Sequence, residues 1–152
     1  MTRLPGQTPG HKYLYEHLPM TTFEKQHIPV NTSCETVFSF LGDFRNFEDL
    51  LPDRVSNWKA DESTCSFTIE GLADLSMRID GKYPCSNIHI VSEGKNPVDF
   101  ELDYFFYKTD EESCSVSIVF KVDLNPFMKS VASGPLQHFV ELLGEKLQEK
   151  YA

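Results

Sequence analysis

The stretch FSFLGDFRNFEDLLPD, residues 38–53, gathers Phe38, Phe40, Phe44, Phe47, Leu50 and Leu51 and then interrupts them. Gly42 weakens a helix from within, Asp43 is suited to cap a new one, and Pro52 ends the run. Two short helices with a bend between them are therefore predicted, in place of one straight helix. Upstream, Thr32 and Glu35 have the spacing of a capping box, with Thr32 accepting from the Glu35 amide. Val37, Phe40, Leu41 and Phe44 then form a first apolar stripe, and Phe47, Leu50 and Leu51 a second. Before them, Phe23 to Val30 reads as extended chain.

From Val55 to Leu124 the apolar period changes from about 3.6 to about 2, which marks half-buried strands. Cys65, Phe67 and Ile69 alternate with polar residues, as do Leu75, Met77 and Ile79, then Ile88 and Ile90. The alternation continues through Val98, Phe100, Leu102, Tyr104 and Phe106, and again from Cys114 to Leu124. Gly71, Asp80-Gly81, Glu93 to Pro97 and Asp110 to Glu112 supply turns between them, so an antiparallel meander is expected. Asn125-Pro126 opens a terminal helix whose apolar face carries Leu136, Phe139, Val140, Leu143 and Leu147. Gly134-Pro135 is expected to kink that helix or split it. The sum is an α+β domain over residues 21–152, with residues 1–20 as an N-terminal extension or the product of an upstream start.

Composition narrows the partners. A formal charge of −9 without a local Lys/Arg cluster disfavours nucleic acid. No apolar run reaches the length of a membrane span, and the opening segment lacks a signal-peptide core, so a cytoplasmic protein is expected. Cys34, Cys65, Cys85 and Cys114 lack metal or redox spacing and read as reduced thiols.

The run IPVNTSCETVFSFLGDFRNFEDLLP, the strands after it and the helix NPFMKSVASGPLQHFVELLGEKLQEKY resemble the SRPBCC superfamily over about Thr21 to Tyr151. That superfamily includes steroidogenic-type (START-like) lipid-transfer domains, birch-pollen-allergen-like proteins and polyketide cyclase/dehydrase-like proteins. The resemblance implies a helix-grip fold: a curved seven-stranded antiparallel sheet, two short helices, and a long C-terminal helix across the concave face. It also implies a hydrophobic cavity between sheet and helix.

Strand parity supplies the walls for such a cavity. Phe67, Ile69, Met77, Ile79, Ile88 and Ile90 face inward, as do Phe100, Leu102, Tyr104, Val116 and Ile118. Leu136, Phe139, Val140 and Leu143 oppose them. The same pattern also describes side chains that simply fill a core. Tyr104 adds a ring with a hydroxyl able to orient a ligand, though such a hydroxyl more often bonds a backbone carbonyl.

The expected partner is a small hydrophobic or amphipathic molecule, of lipid, sterol or polyketide-like type. No catalytic constellation, metal site or cofactor is expected. His11, His17, His27, His89 and His138 lack ligand spacing, His89 falls on the outward parity, and Asp99, Glu101 and Asp103 form an outward row. A cyclase- or dehydratase-like enzyme using Tyr104 or His138 is the rival reading. A helper protein that docks a partner through Tyr13, Leu14, Tyr15 and Leu18 is the third.

Overall fold

In the computed structural model, which describes residues 20–152, Ser33 rather than Thr32 caps the first helix. Its Oγ accepts from the Thr36 amide at 3.2 Å. The cap moves one residue on because Asn31 is held back, its amide donating to the Tyr151 carbonyl at 3.0 Å. Helix α1 (Cys34–Leu41) follows and buries Cys34, Val37 and Leu41.

Gly42 ends α1 at a close approach. A Cβ there would stand 3.1 Å from the Phe38 carbonyl oxygen and 3.2 Å from Lys82 Cδ. Lys82 Nζ donates to the Gly42 carbonyl at 3.3 Å, so a strand end sits on the break. Asp43 then caps the second helix as expected, Oδ1 accepting from the Arg45 amide at 2.9 Å. That helix, Phe44–Leu50, is a 3-10 helix. Its three residues per turn carry Phe44, Phe47 and Leu50 on one buried face, which a period of 3.6 would spread apart.

Seven strands form one antiparallel sheet: β1 (Thr21–Val30), β2 (Val55–Ala60), β3 (Thr64–Ile69), β4 (Ala73–Tyr83), β5 (Asn87–Ser92), β6 (Phe100–Asp110) and β7 (Ser113–Val122). The order across it is β1-β7-β6-β5-β4-β3-β2, so β2 to β7 are a plain meander and β1 closes onto the last strand. In register, Thr21 pairs with Val122 and Val30 with Cys114.

Helix α2 (Pro126–Lys150) starts where Asn125 Oδ1 accepts from the Met128 amide at 2.8 Å. It crosses the concave face and buries Ala132, Leu136, Val140, Leu143, Gly144 and Leu147. Of the kink or split expected at Gly134-Pro135, the split does not occur, and α2 runs unbroken through Pro135. Pro135 withholds one amide from the Val131 carbonyl, and Val131 is on the solvent side, where water can take that bond. At Gly144 the helix meets β1 so closely that a Cβ would lie 3.0 Å from Ile28 Cδ1. Gln137 Nε2 donates to the Glu24 carbonyl at 3.3 Å, so α2 also covers part of the β1 edge.

The thiols correct the sequence reading. Cys34 and Cys114 form a disulfide, with Cα atoms 5.2 Å apart, inside the range such bridges need. The bridge ties the first residue of α1 to the start of β7. It was hidden because the two lie 80 residues apart and meet only through the β1–β7 register. Cys65 and Cys85 are free. The expected extension at residues 1–20, apart from Met20, lies outside the described residues.

Candidate functional site

The concave face of the sheet and the inner face of α2 enclose apolar space that aromatic rings nearly fill. Phe67 from β3, Leu75 and Met77 from β4, Phe100 and Leu102 from β6, and Phe120 from β7 form one wall. Phe139 and Leu143 from α2, with Phe47, Leu51 and Trp58, form the other. The cavity left between them is about 20 Å3, room for about one water and far below the roughly 300 Å3 of a ligand pocket. A second recess of about 50 Å3 opens nearer the start of α2, between Leu72, Val98, Val122, Leu124, Met128 and Leu136. Leu75, Phe100 and Phe120 border both recesses, so these three side chains are the partition between them.

Ring geometry explains the filling. Phe139, half-buried, stacks on Phe67 with centroids 6.5 Å apart and lies 6.4 Å from Phe120. Phe100 and Phe120 meet edge to face at 5.5 Å. Trp58 stacks on Phe47 at 6.0 Å and closes the far end. Such contacts hold by area and by ring quadrupoles, and a planar guest could replace them in kind.

Among the described residues, no ionisable side chain lines either recess. The nearby exception is Tyr104, 1% exposed, whose hydroxyl has no hydrogen-bond partner among the described residues. Burial drives the Tyr104 phenol well above its ordinary pKa, so it stays a neutral donor. Burial, helped by the charge of Asp61, likewise pushes the Cys65 thiol up to about 12, which removes it as a nucleophile. An interior of this kind can bind and orient an apolar molecule.

Of the wall residues expected from parity, Phe67, Met77, Phe100, Leu102, Phe139 and Leu143 line the first recess, and Phe100 and Leu136 the second. Ile69, Ile88, Ile90, Tyr104, Val116, Ile118 and Val140 are buried in the surrounding core, and Ile79 is half-buried at a β4 bulge. Leu75 and Phe120 continue the inward alternation but were left out of the expected walls, although they form the partition. Phe47 and Leu51 lie outside strand parity, on the 3-10 helix and at its exit, and Trp58 escapes it because the β2 register shifts between Ser56 and Lys59.

His138 is exposed on α2 and away from both recesses. His89 is on the outer face as expected, yet half-buried rather than free. Its Nδ1 lies 2.9 Å from Asp103 Oδ1 and its Nε2 3.5 Å from Glu101 Oε1. Asn87 Nδ2 also donates to Asp103 Oδ1 at 3.0 Å. This is the one His/carboxylate grouping of metal-binding proportions among the described residues. One ligand atom from each of the three residues lies within 4.8 Å of the others.

No family model matches the sequence, and no curated protein matches it. Solved structures do match in shape. XoxI from Bacillus cereus superposes with a TM-score of 0.69 at 13% identity, over 87% of this chain and 96% of that one. A START superfamily protein from Mycobacterium smegmatis gives 0.61 at 16% identity, over 84% and 97%. The chain has a helix-grip fold. The Zhui aromatase/cyclase from Streptomyces sp. R1128 is another helix-grip match, with a TM-score of 0.61 at 15% identity over 84% and 93%. At such identities the helix-grip likeness is one of backbone course, not of side chains. No helix among the described residues is long and apolar enough to cross a membrane.

Proposed function

We propose that this protein binds or carries a small, largely apolar molecule between its sheet and α2. The observation that carries the reading is the pair of adjoining apolar recesses divided only by Leu75, Phe100 and Phe120. Merging them takes displacement of these three side chains, of which Phe120 is held by ring contacts to Phe100 and to half-buried Phe139 that a planar guest can reproduce. The helix-grip fold supports the same location, and the START superfamily and aromatase/cyclase likenesses are consistent with a lipid-like or polycyclic guest.

Binding would be driven by area. At about 25 cal/mol per Å2 removed from water, covering a few hundred Å2 of guest supplies several kcal/mol towards binding without a charged anchor. The unpaired Tyr104 hydroxyl would give such a guest one oriented hydrogen bond if its inner end carries an acceptor.

Trp58 lines the first recess and is the sole tryptophan, so its emission reports occupancy. Titration with fatty acids, sterols and polycyclic aromatics should shift that emission saturably for at least one class. Native mass spectrometry of gently purified protein should then show a mass adduct of the same class. No binding from any class at high micromolar concentration, together with a clean apo mass, would overturn the reading.

A further inference from the structure

Glu101 and Asp103 alternate along β6 with the buried Leu102 and Tyr104, so both stand on the face of the sheet away from α2. β5 runs antiparallel beside them, and its register sets His89 opposite Asp103 and Val91 opposite Glu101. One hydrogen-bonded ladder therefore fixes all three side chains, and no loop is involved.

Asp103 anchors the group. Its Oδ1 lies 2.9 Å from His89 Nδ1 and accepts from Asn87 Nδ2 at 3.0 Å, and Asn87 Nδ2 also donates to the Tyr104 carbonyl at 3.0 Å. A carboxylate against Nδ1 keeps the proton on that nitrogen and leaves the Nε2 lone pair free, as it does behind metal-bound imidazoles. That lone pair faces Glu101 Oε1 at 3.5 Å. The gap exceeds the roughly 3.2 Å of an N–H···O bond. It is close to the separation of about 3.4 Å between two donors on one tetrahedral zinc, whose bonds are about 2.0–2.1 Å.

Charge points the same way. Two carboxylates and a neutral ring make the cluster anionic, in a chain of net charge −9. Among the described residues neither carboxylate is paired with a Lys or Arg, although Lys121 stands opposite Glu101 in the β6–β7 register. An imidazole nitrogen beside carboxylate oxygens suits zinc and its neighbours, whereas magnesium and calcium take oxygen donors alone.

We propose that His89, Glu101 and Asp103 bind a divalent transition-metal ion of the zinc class on the outer face of the sheet. His89 Nε2 and Glu101 are the direct ligands, and Asp103 orients the ring and adds charge. Glu101 is the most exposed of the three, so the remaining coordination positions open to water. The recesses lie on the other face of β6, and the two proposals stand or fall separately.

The test is zinc titration of the full chain, followed by calorimetry and by NMR of the imidazole nitrogens. One ion per chain is expected in the micromolar range, with the His89 Nε2 signal shifting. His89→Asn should abolish binding, and Glu101→Gln and Asp103→Asn should each weaken it by about tenfold or more. Glu101→Gln keeps shape at a partly exposed position, and an unchanged circular dichroism spectrum would show that its loss of binding is not unfolding. His11→Ala/His17→Ala, which removes the paired histidines of the opening segment, should bind as wild type does. No saturable binding in the wild type would overturn the proposal, as would binding that survives His89→Asn or Glu101→Gln. Loss of binding in the His11/His17 variant would also overturn it, and so would an equal response to magnesium.

Discussion

The ring of Tyr104 meets Phe47 edge-on, with centroids 5.9 Å apart and planes at 76°, beneath the 3-10 helix. This packing, on a strand residue 1% exposed, leaves the hydroxyl without a partner among the described residues. A buried unpaired donor costs about 1–3 kcal/mol. Tyr104→Phe removes that cost and keeps the ring. Urea unfolding of the ligand-free protein should show it equal to wild type or up to about 1 kcal/mol more stable. If a guest bonds the hydroxyl, the same variant should bind it several-fold more weakly, so stability and affinity move in opposite directions.

The Cys34–Cys114 bridge closes a loop of 80 residues, and loops of that size stabilise by about 4 kcal/mol through the unfolded state. Cys114→Ser should lose most of that in urea titrations, and dithiothreitol should reproduce the loss in the wild type. Thiol titration under denaturing, non-reducing conditions should find two reactive groups, from Cys65 and Cys85. Four would remove the bridge.

Gly144 faces β1 where a Cβ would stand 2.9 Å from Lys25 Cγ and 3.0 Å from Ile28 Cδ1. Alanine gains about 1 kcal/mol of helix propensity, but crowding against a buried side chain costs about 1–3 kcal/mol. The Lys25 stem can swing away, whereas Ile28 is 1% exposed and cannot. Gly144→Ala should therefore be net destabilising by about 1 kcal/mol, measurable as a lowered Tm.

The side chain of Arg45 bonds Asp43 and holds its carboxyl below the ordinary range, with the Arg45 amide adding to the effect. A pKa depressed by folding contributes stability that is complete above the unfolded carboxylate value of about 3.9 and lost as pH falls through the folded value. Asp43→Asn keeps a capping oxygen but loses the ion pair. Its Tm should fall below that of wild type at pH 7 and converge with it as the pH falls below the ordinary carboxylate range.

Strand alternation from Val55 to Leu124 and the Asn125-Pro126 start were enough to order the elements, because burial on one face of a sheet or helix leaves a periodic trace in the chain. The break at Gly42-Asp43 was readable for the same local reason. The 3-10 form of the second helix was also written there, in the three-residue spacing of Phe44, Phe47 and Leu50, but it takes the sheet beneath to make that face pay.

The rest required the tertiary structure. Whether inward residues line a space or fill it depends on how far α2 stands from the sheet, and that distance is set by Gly144 against Ile28 and by rings from three elements meeting at Phe139, Phe67 and Phe120. The partner of Cys34 was invisible for a similar reason, since it is chosen by the register of β1 on β7. The sequence alone determined periodicity, caps and charge, which are local or additive along the chain. Only the fold decided cavity volume, disulfide pairing and the unpaired Tyr104 hydroxyl, because each is a relation between surfaces that the chain brings together across long separations.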